Sequence, residues 1–118
     1  MITINQLINV APFPESTKQQ LLAEVDYFSS DKRFEVEETC WALISMDYQN
    51  RLQYEQQKAI GEMAKGKKYT SEELKSFEQA LILELTRQLT NTETKEALSE
   101  VRTKLTSVLS SPEEKVVN

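Results

Sequence analysis

"VEETCWALISM", residues 36–46, is apolar on nearly every side, whereas "SMDYQNRLQYEQQKAIGEM", residues 45–63, keeps only a few apolar side chains. How these two stretches join decides the fold. No proline occurs from Ser30 to Lys65, and Phe34, Trp41, Tyr48, Leu52, Ala59 and Met63 fall within roughly 40° of one line at 100° per residue. One stripe therefore runs the whole way, and a single helix over about 31–65 is expected, roughly 50 Å long at 1.5 Å per residue. Trp41, Leu52 and Met63 recur every eleven residues, a period that keeps the stripe nearly straight or drifting slightly right-handed.

The two halves of this rod differ in what must cover them. Val36, Cys40, Ala42, Leu43, Ile44 and Met46 point in the directions the stripe leaves open, so residues 34–46 are expected to be enclosed on all sides by the N-terminal segments and the last two helices. The second half needs cover on the stripe alone. Its neighbour should be the next helix, because a short turn returns the chain antiparallel and sets Leu74 near Met63, Leu85 near Leu52 and Leu89 near Tyr48. Polar residues from Asp47 to Lys58 would then be wet, and a helical hairpin would project from a compact base.

Boundary signals divide the rest of the chain. Thr3 and Gln6 in "TINQLINVA" have the spacing of a capping box, with a strand over Met1–Ile4 as the competing reading. "PFP" at 12–14 breaks the chain, and Pro14 suits the first turn of a second helix running to about Phe28 with Leu21, Leu22, Val25 and Phe28 buried. Ser30 is the expected N-cap of the long helix, and Gly66 in "KGKKYT" its left-handed terminator. Thr70 and Glu73 form a second capping box, opening a helix over about 71–90 whose face is Leu74, Phe77, Leu81, Leu85 and Leu89. Asn91 or Thr92 is expected to cap a last helix to about Leu109, with Leu98, Val101, Leu105 and Val108 on one seam.

The fold class is thus all-α: a small bundle of four main helices plus a short N-terminal helix, with helix 31–65 and helix 71–90 forming an antiparallel hairpin. At 118 residues with two glycines and three prolines, the chain fits one helical domain over 1–110, followed by a flexible tail over 111–118.

Composition excludes much chemistry. There is no histidine, hence no usual general base and no common transition-metal ligand. Cys40 is the only cysteine; without a histidine to activate it, it reads as a core residue. No phosphate-binding glycine loop, zinc-type cysteine pair or catalytic triad occurs. Catalytic, cofactor-binding and metal-ligating residues are therefore assigned to none, and no enzyme activity is expected. A net charge of −5 argues against nucleic acid, which needs a basic face to displace counterions. No stretch has the length of a membrane span, and the N-terminus lacks the pattern of a signal peptide, so a cytoplasmic protein is expected.

What remains is binding. Arg51 and Tyr54 in the polar half belong to residue types favoured as interface anchors, and Lys58 lies on the same face. Lys67, Lys68 and Tyr69 crowd the tip of the hairpin. Leu83 lies about 180° from Leu74 and needs separate cover, from the last helix or from a second copy in a homodimer. These seven residues are the candidate partner-binding set of a protein-interaction or assembly module. The alternative is a small acidic inhibitor or immunity-type protein that occludes a basic site on an enzyme.

Overall fold

The computed structural model describes residues 2–117, with side chains described as far as Val108. Five α-helices follow one another: α1 (Ile4–Val10), α2 (Glu15–Glu24), α3 (Ser30–Ala64), α4 (Ser71–Thr90) and α5 (Lys95–Val117), with a short 3-10 turn, Val25–Tyr27, between α2 and α3. No strand occurs among the described residues. The tail expected over 111–118 lies outside the residues whose side chains are described.

Four of the five helices begin at a side-chain cap, while α2 follows Pro14 without one. The Thr3 hydroxyl accepts from Gln6 N–H while the Gln6 side chain accepts from Thr3 N–H, so residues 4–10 are helical and not a strand. Thr70 and Glu73 make the same reciprocal pair at the start of α4. Two caps differ from expectation by a residue or more. Ser29, rather than Ser30, accepts from Lys32 N–H ahead of α3; both are serines, and only the one held in extended backbone, ψ 167°, can turn its hydroxyl onto the first turn. Thr94, rather than Asn91 or Thr92, accepts from Ala97 N–H at the start of α5. Asn91 instead closes α4 in the left-handed region at φ 60°, its N–H donating to the Arg87 carbonyl. A short polar side chain serves either end of a helix, and the loop geometry chooses.

The long helix is unbroken through Asp47 and Gly61 over 35 residues. It ends in a paired termination: Gly66 N–H donates to the Met63 carbonyl and Lys67 N–H to the Glu62 carbonyl, with Gly66 at φ 105°. That is the Schellman arrangement, and its left-handed position is why glycine sits there.

Trp41, Cys40, Ile44 and Val36 from the first half of α3 form the core with Leu7 and Ile8 of α1, Ile82 and Leu89 of α4, and Val101 and Leu105 of α5. The enclosure is nevertheless not complete. Phe34 is 63% exposed and Met46 62% exposed, and Glu38 and Thr39 are also open to solvent. The neighbours of α3 cover roughly half of its circumference; Met46 points away from that arc, whereas Phe34 shares the line of Trp41 but stands about two turns nearer the N-terminus, where the line is left uncovered. The reason is α2, which was expected to wrap this end but buries none of its own residues. It gives way to the 3-10 turn at Val25, which alone of the expected stripe is buried, while Leu21, Leu22 and Phe28 are half-covered.

In the second half, α3 and α4 run antiparallel as expected, with Arg51 facing Glu84 and Tyr69 reaching back to Glu62. α4 is rotated from its expected orientation. Its buried line is Ile82, Thr86 and Leu89, whereas Leu74, Phe77, Leu81 and Leu85 are half-buried. The cause is that α4 packs on α1, α3 and α5 together, so its deepest side points into the gap among them and the α3 seam lies at its border. Thr86 fits there because its hydroxyl donates to the Ile82 carbonyl 2.7 Å away, leaving no unpaired group. α5 also packs on α3 and α4, and Arg102 meets Glu78 at 2.6 Å. The α3–α4 hairpin therefore carries a third helix against it, where the two were expected to project alone.

Candidate functional site: the seam of the α3–α4 hairpin

Arg51, Tyr54 and Lys58 fall within about 60° of one another on α3, and all three are exposed. Helical spacing also puts Asp47 on this face, four residues before Arg51, and the Arg51 Nε meets Asp47 Oδ2 at 3.1 Å. The same guanidinium approaches Glu84 of α4 at 4.0 Å. Arg51 is thus held between two carboxylates, one from each arm of the hairpin, with more than half of its side chain in solvent. A surface pair of this kind contributes little stability, about 0–1 kcal/mol. Its consequence is positional, since it fixes where the guanidinium stands.

Two depressions flank this arginine and share it. The first is a notch of about 50 Å³ with Val10, Ile44, Leu81 and Leu85 among its walls and Tyr48 at its side. The second is an open trough of about 390 Å³ between Asn50, Tyr54 and Glu55 of α3 and Leu81 and Glu84 of α4. Arg51, Leu81 and Glu84 line both, so the two form one groove along the seam. Its floor is apolar, its rim is charged, and Tyr54 stands beside it with 65% of its surface exposed. An apolar floor with a few fixed polar groups is the usual composition of a binding groove. Tyr48 is half-buried, and burial pushes its phenol up, with the Glu78 carboxylate adding to the effect and Arg102 opposing it. It stays a neutral hydrogen-bonding group at any physiological pH.

The remaining candidates lie elsewhere. Tyr69 is partly buried at the tip, its hydroxyl donating to Glu62 Oε1 at 3.0 Å and its ring meeting Phe77 edge-on at 6.0 Å. Lys67 sits 4.8 Å from the centre of that ring and pairs with Glu62 at 3.4 Å. These two residues hold the turn in shape, while Lys68 is exposed beside them. Leu83 is half-buried on α4 and lies away from the groove, which takes Leu81 and Glu84 instead. The seven candidates therefore divide into a groove-side set, a tip set and one isolated leucine.

Cys40 is fully buried, and burial, with the Glu37 carboxylate adding, pushes its thiol up to about 11. Such a thiol is not a nucleophile near neutral pH. Among the described residues no three acidic or cysteine side chains converge where a cation could sit, and no helix is long and apolar enough to cross a membrane.

Sequence reasoning missed Asn50, Glu55 and Glu84 as groove residues, and Tyr27 and Phe34 as exposed aromatics. Glu84 had no signal, because its role depends on the register between two helices. Tyr27 did have one: it follows the third turn of α2 and lies outside the Leu21–Leu22–Val25–Phe28 stripe. The chain matches no known protein-family model, no curated protein and no solved structure.

Proposed function

We propose that this chain is a non-enzymatic protein-interaction or assembly module, working in the cytoplasm, whose hairpin seam receives a protein partner. The observation that carries the reading is Tyr54, exposed beside a groove whose apolar floor and pre-positioned Arg51 are available to a second surface. Tyrosine supplies large contact area at small entropic cost and arginine supplies directional hydrogen bonds, and both recur as interface anchors. The partner surface that fits is a helix or extended segment offering one apolar side chain to Leu81, with a polar group for Arg51 or Glu84.

The test is recovery of partners by the full-length chain against Tyr54→Ala and Arg51→Ala. Truncation of an anchor costs about 2 kcal/mol or more, which is roughly thirtyfold in Kd. Recovery of the same proteins in the same amounts by both variants overturns the site.

A second reading, the acidic inhibitor of a basic enzyme site, is favoured by a different feature. Glu24, Asp26, Asp31, Glu35 and Glu38 are all exposed in the same part of the chain as Tyr27, 88% exposed, and Phe34. Such a complex weakens steeply with salt, whereas a partner seated in the apolar groove holds.

A further inference from the structure

The charge of this chain is segregated along α3. Residues 24–38 carry six carboxylates against Lys32 and Arg33, a net of −4, and residues 58–75, the hairpin tip with the first turn of α4, carry five lysines against Glu62, Glu72 and Glu73, a net of +2. From Glu35 to Lys65 the helix rises about 45 Å, several times the screening length of about 8 Å at physiological salt. The two groups cannot neutralise each other within one molecule. Each is paired with exposed apolar surface. Phe34 lies one turn from Asp31 and Glu38 on α3, and Tyr27 precedes the helix; at the other end Ile60 and Met63 are exposed next to the lysine-bearing turn.

We propose that the lysine-bearing tip of one copy docks on the acidic, aromatic end of a second copy, head to tail. The occupant is argued from complementarity. The tip offers Lys65 and Lys68, both exposed, while Lys67 is already engaged with Glu62 and Tyr69. The acidic end offers Asp31, Glu35 and Glu38 around Phe34, whose ring face is a second attraction for an ammonium group. Opposite signs meet opposite signs, and each apolar patch loses contact with water. Because the two surfaces differ, the contact leaves one free copy of each at the ends of any dimer, so association continues beyond two chains. The tip turn is stiffened for this role by its Schellman termination and by the Tyr69–Glu62 hydrogen bond.

Sedimentation of the full chain from micromolar to millimolar concentration, at low and high salt, reads the association directly. The expected result is a mean mass that rises past the dimer at low salt and falls back to the monomer at high salt. Two charge-reversed variants separate this contact from others: Lys65→Glu with Lys68→Glu, and Glu35→Lys with Glu38→Lys. All four positions are exposed, and circular dichroism checks that both variants stay folded. Each variant alone should remain monomeric, and their equimolar mixture should associate again, since the reversed tip now fits the reversed end. Phe34→Ala should weaken the wild-type association severalfold. A wild-type chain that is monomeric throughout, a dimer that neither reversal disturbs, or a mixture that stays monomeric overturns the proposal.

Discussion

The Tyr69 hydroxyl donates to Glu62 Oε1 at 3.0 Å, tying the start of the α3–α4 turn to its end across seven residues. This bond, with Lys67 adding, holds the Glu62 carboxyl below its ordinary range, and the same cluster raises the Lys67 ammonium above its own. The signs of the two linkages are opposite. Glu62, depressed when folded, contributes stability above its unfolded pKa near 4.5, and that contribution is lost as pH falls through the folded value. Lys67, raised when folded, contributes below 10.5 and loses its contribution as pH rises through the folded value. Tyr69→Phe keeps the ring against Phe77 and deletes the hydroxyl. Carbon-detected NMR titration of Glu62 should show its pKa moving up towards the ordinary value in this variant; an unchanged titration would mean that the hydrogen bond is absent in solution.

Gly61 lies inside α3, and a methyl group placed on it meets nothing within 4 Å. Glycine in a helix interior costs about 0.5–1 kcal/mol relative to alanine, through the backbone freedom it retains when unfolded. Gly61→Ala should therefore raise Tm by about 2–4 °C for a domain of this size. Calorimetry decides it. A lower Tm would show that the helix needs local flexibility at that point.

Ser45 is buried beside Trp41 on α3, and its hydroxyl has no hydrogen-bond partner among the described residues. An unpaired buried hydroxyl is costly, on the order of 1–3 kcal/mol, and alanine fills nearly the same volume. Ser45→Ala is expected to stabilise the fold by about 1 kcal/mol in urea denaturation, with an unchanged slope. Destabilisation instead would reveal that the hydroxyl has found an acceptor.

Cys40 gives a readout of opening. With its thiol pushed up to about 11 by burial and by Glu37, it should resist thiol reagents at pH 8 in the folded chain and react promptly in denaturant. The linkage is destabilising. Between the ordinary value of 9.0 and about 11 the unfolded chain releases the proton while the folded chain keeps it, so stability should fall as pH rises through that interval. In Cys40→Ala this part of the pH dependence should vanish. Rapid modification of the native chain at pH 8 would contradict the burial on which the core assignment rests.

The chain's own residues determined every element and most of its ends. Capping is local: Thr3 with Gln6 and Thr70 with Glu73 satisfy backbone groups three residues away, so α1 and α4 begin where the spacing says. The length of α3 is equally local, since no residue between Ser29 and Gly66 breaks a helix. Tertiary structure decided what covers what. Phe34 and Met46 are as apolar as Trp41 and Ile44, yet they stand in solvent: Phe34 because α2 lies too loosely on the first turns of α3 to reach it, and Met46 because it points away from the side of α3 that its neighbours cover. Ile82 and Thr86, not Leu74 and Leu81, became the deepest residues of α4 because three helices converge on that side. The groove beside Arg51 depends on Glu84, 33 positions away in the chain, arriving within 4.0 Å. Hydrogen bonds at helix ends act over a few residues and can be read from spacing; burial depends on the summed arrangement of all the helices, and no segment specifies that alone.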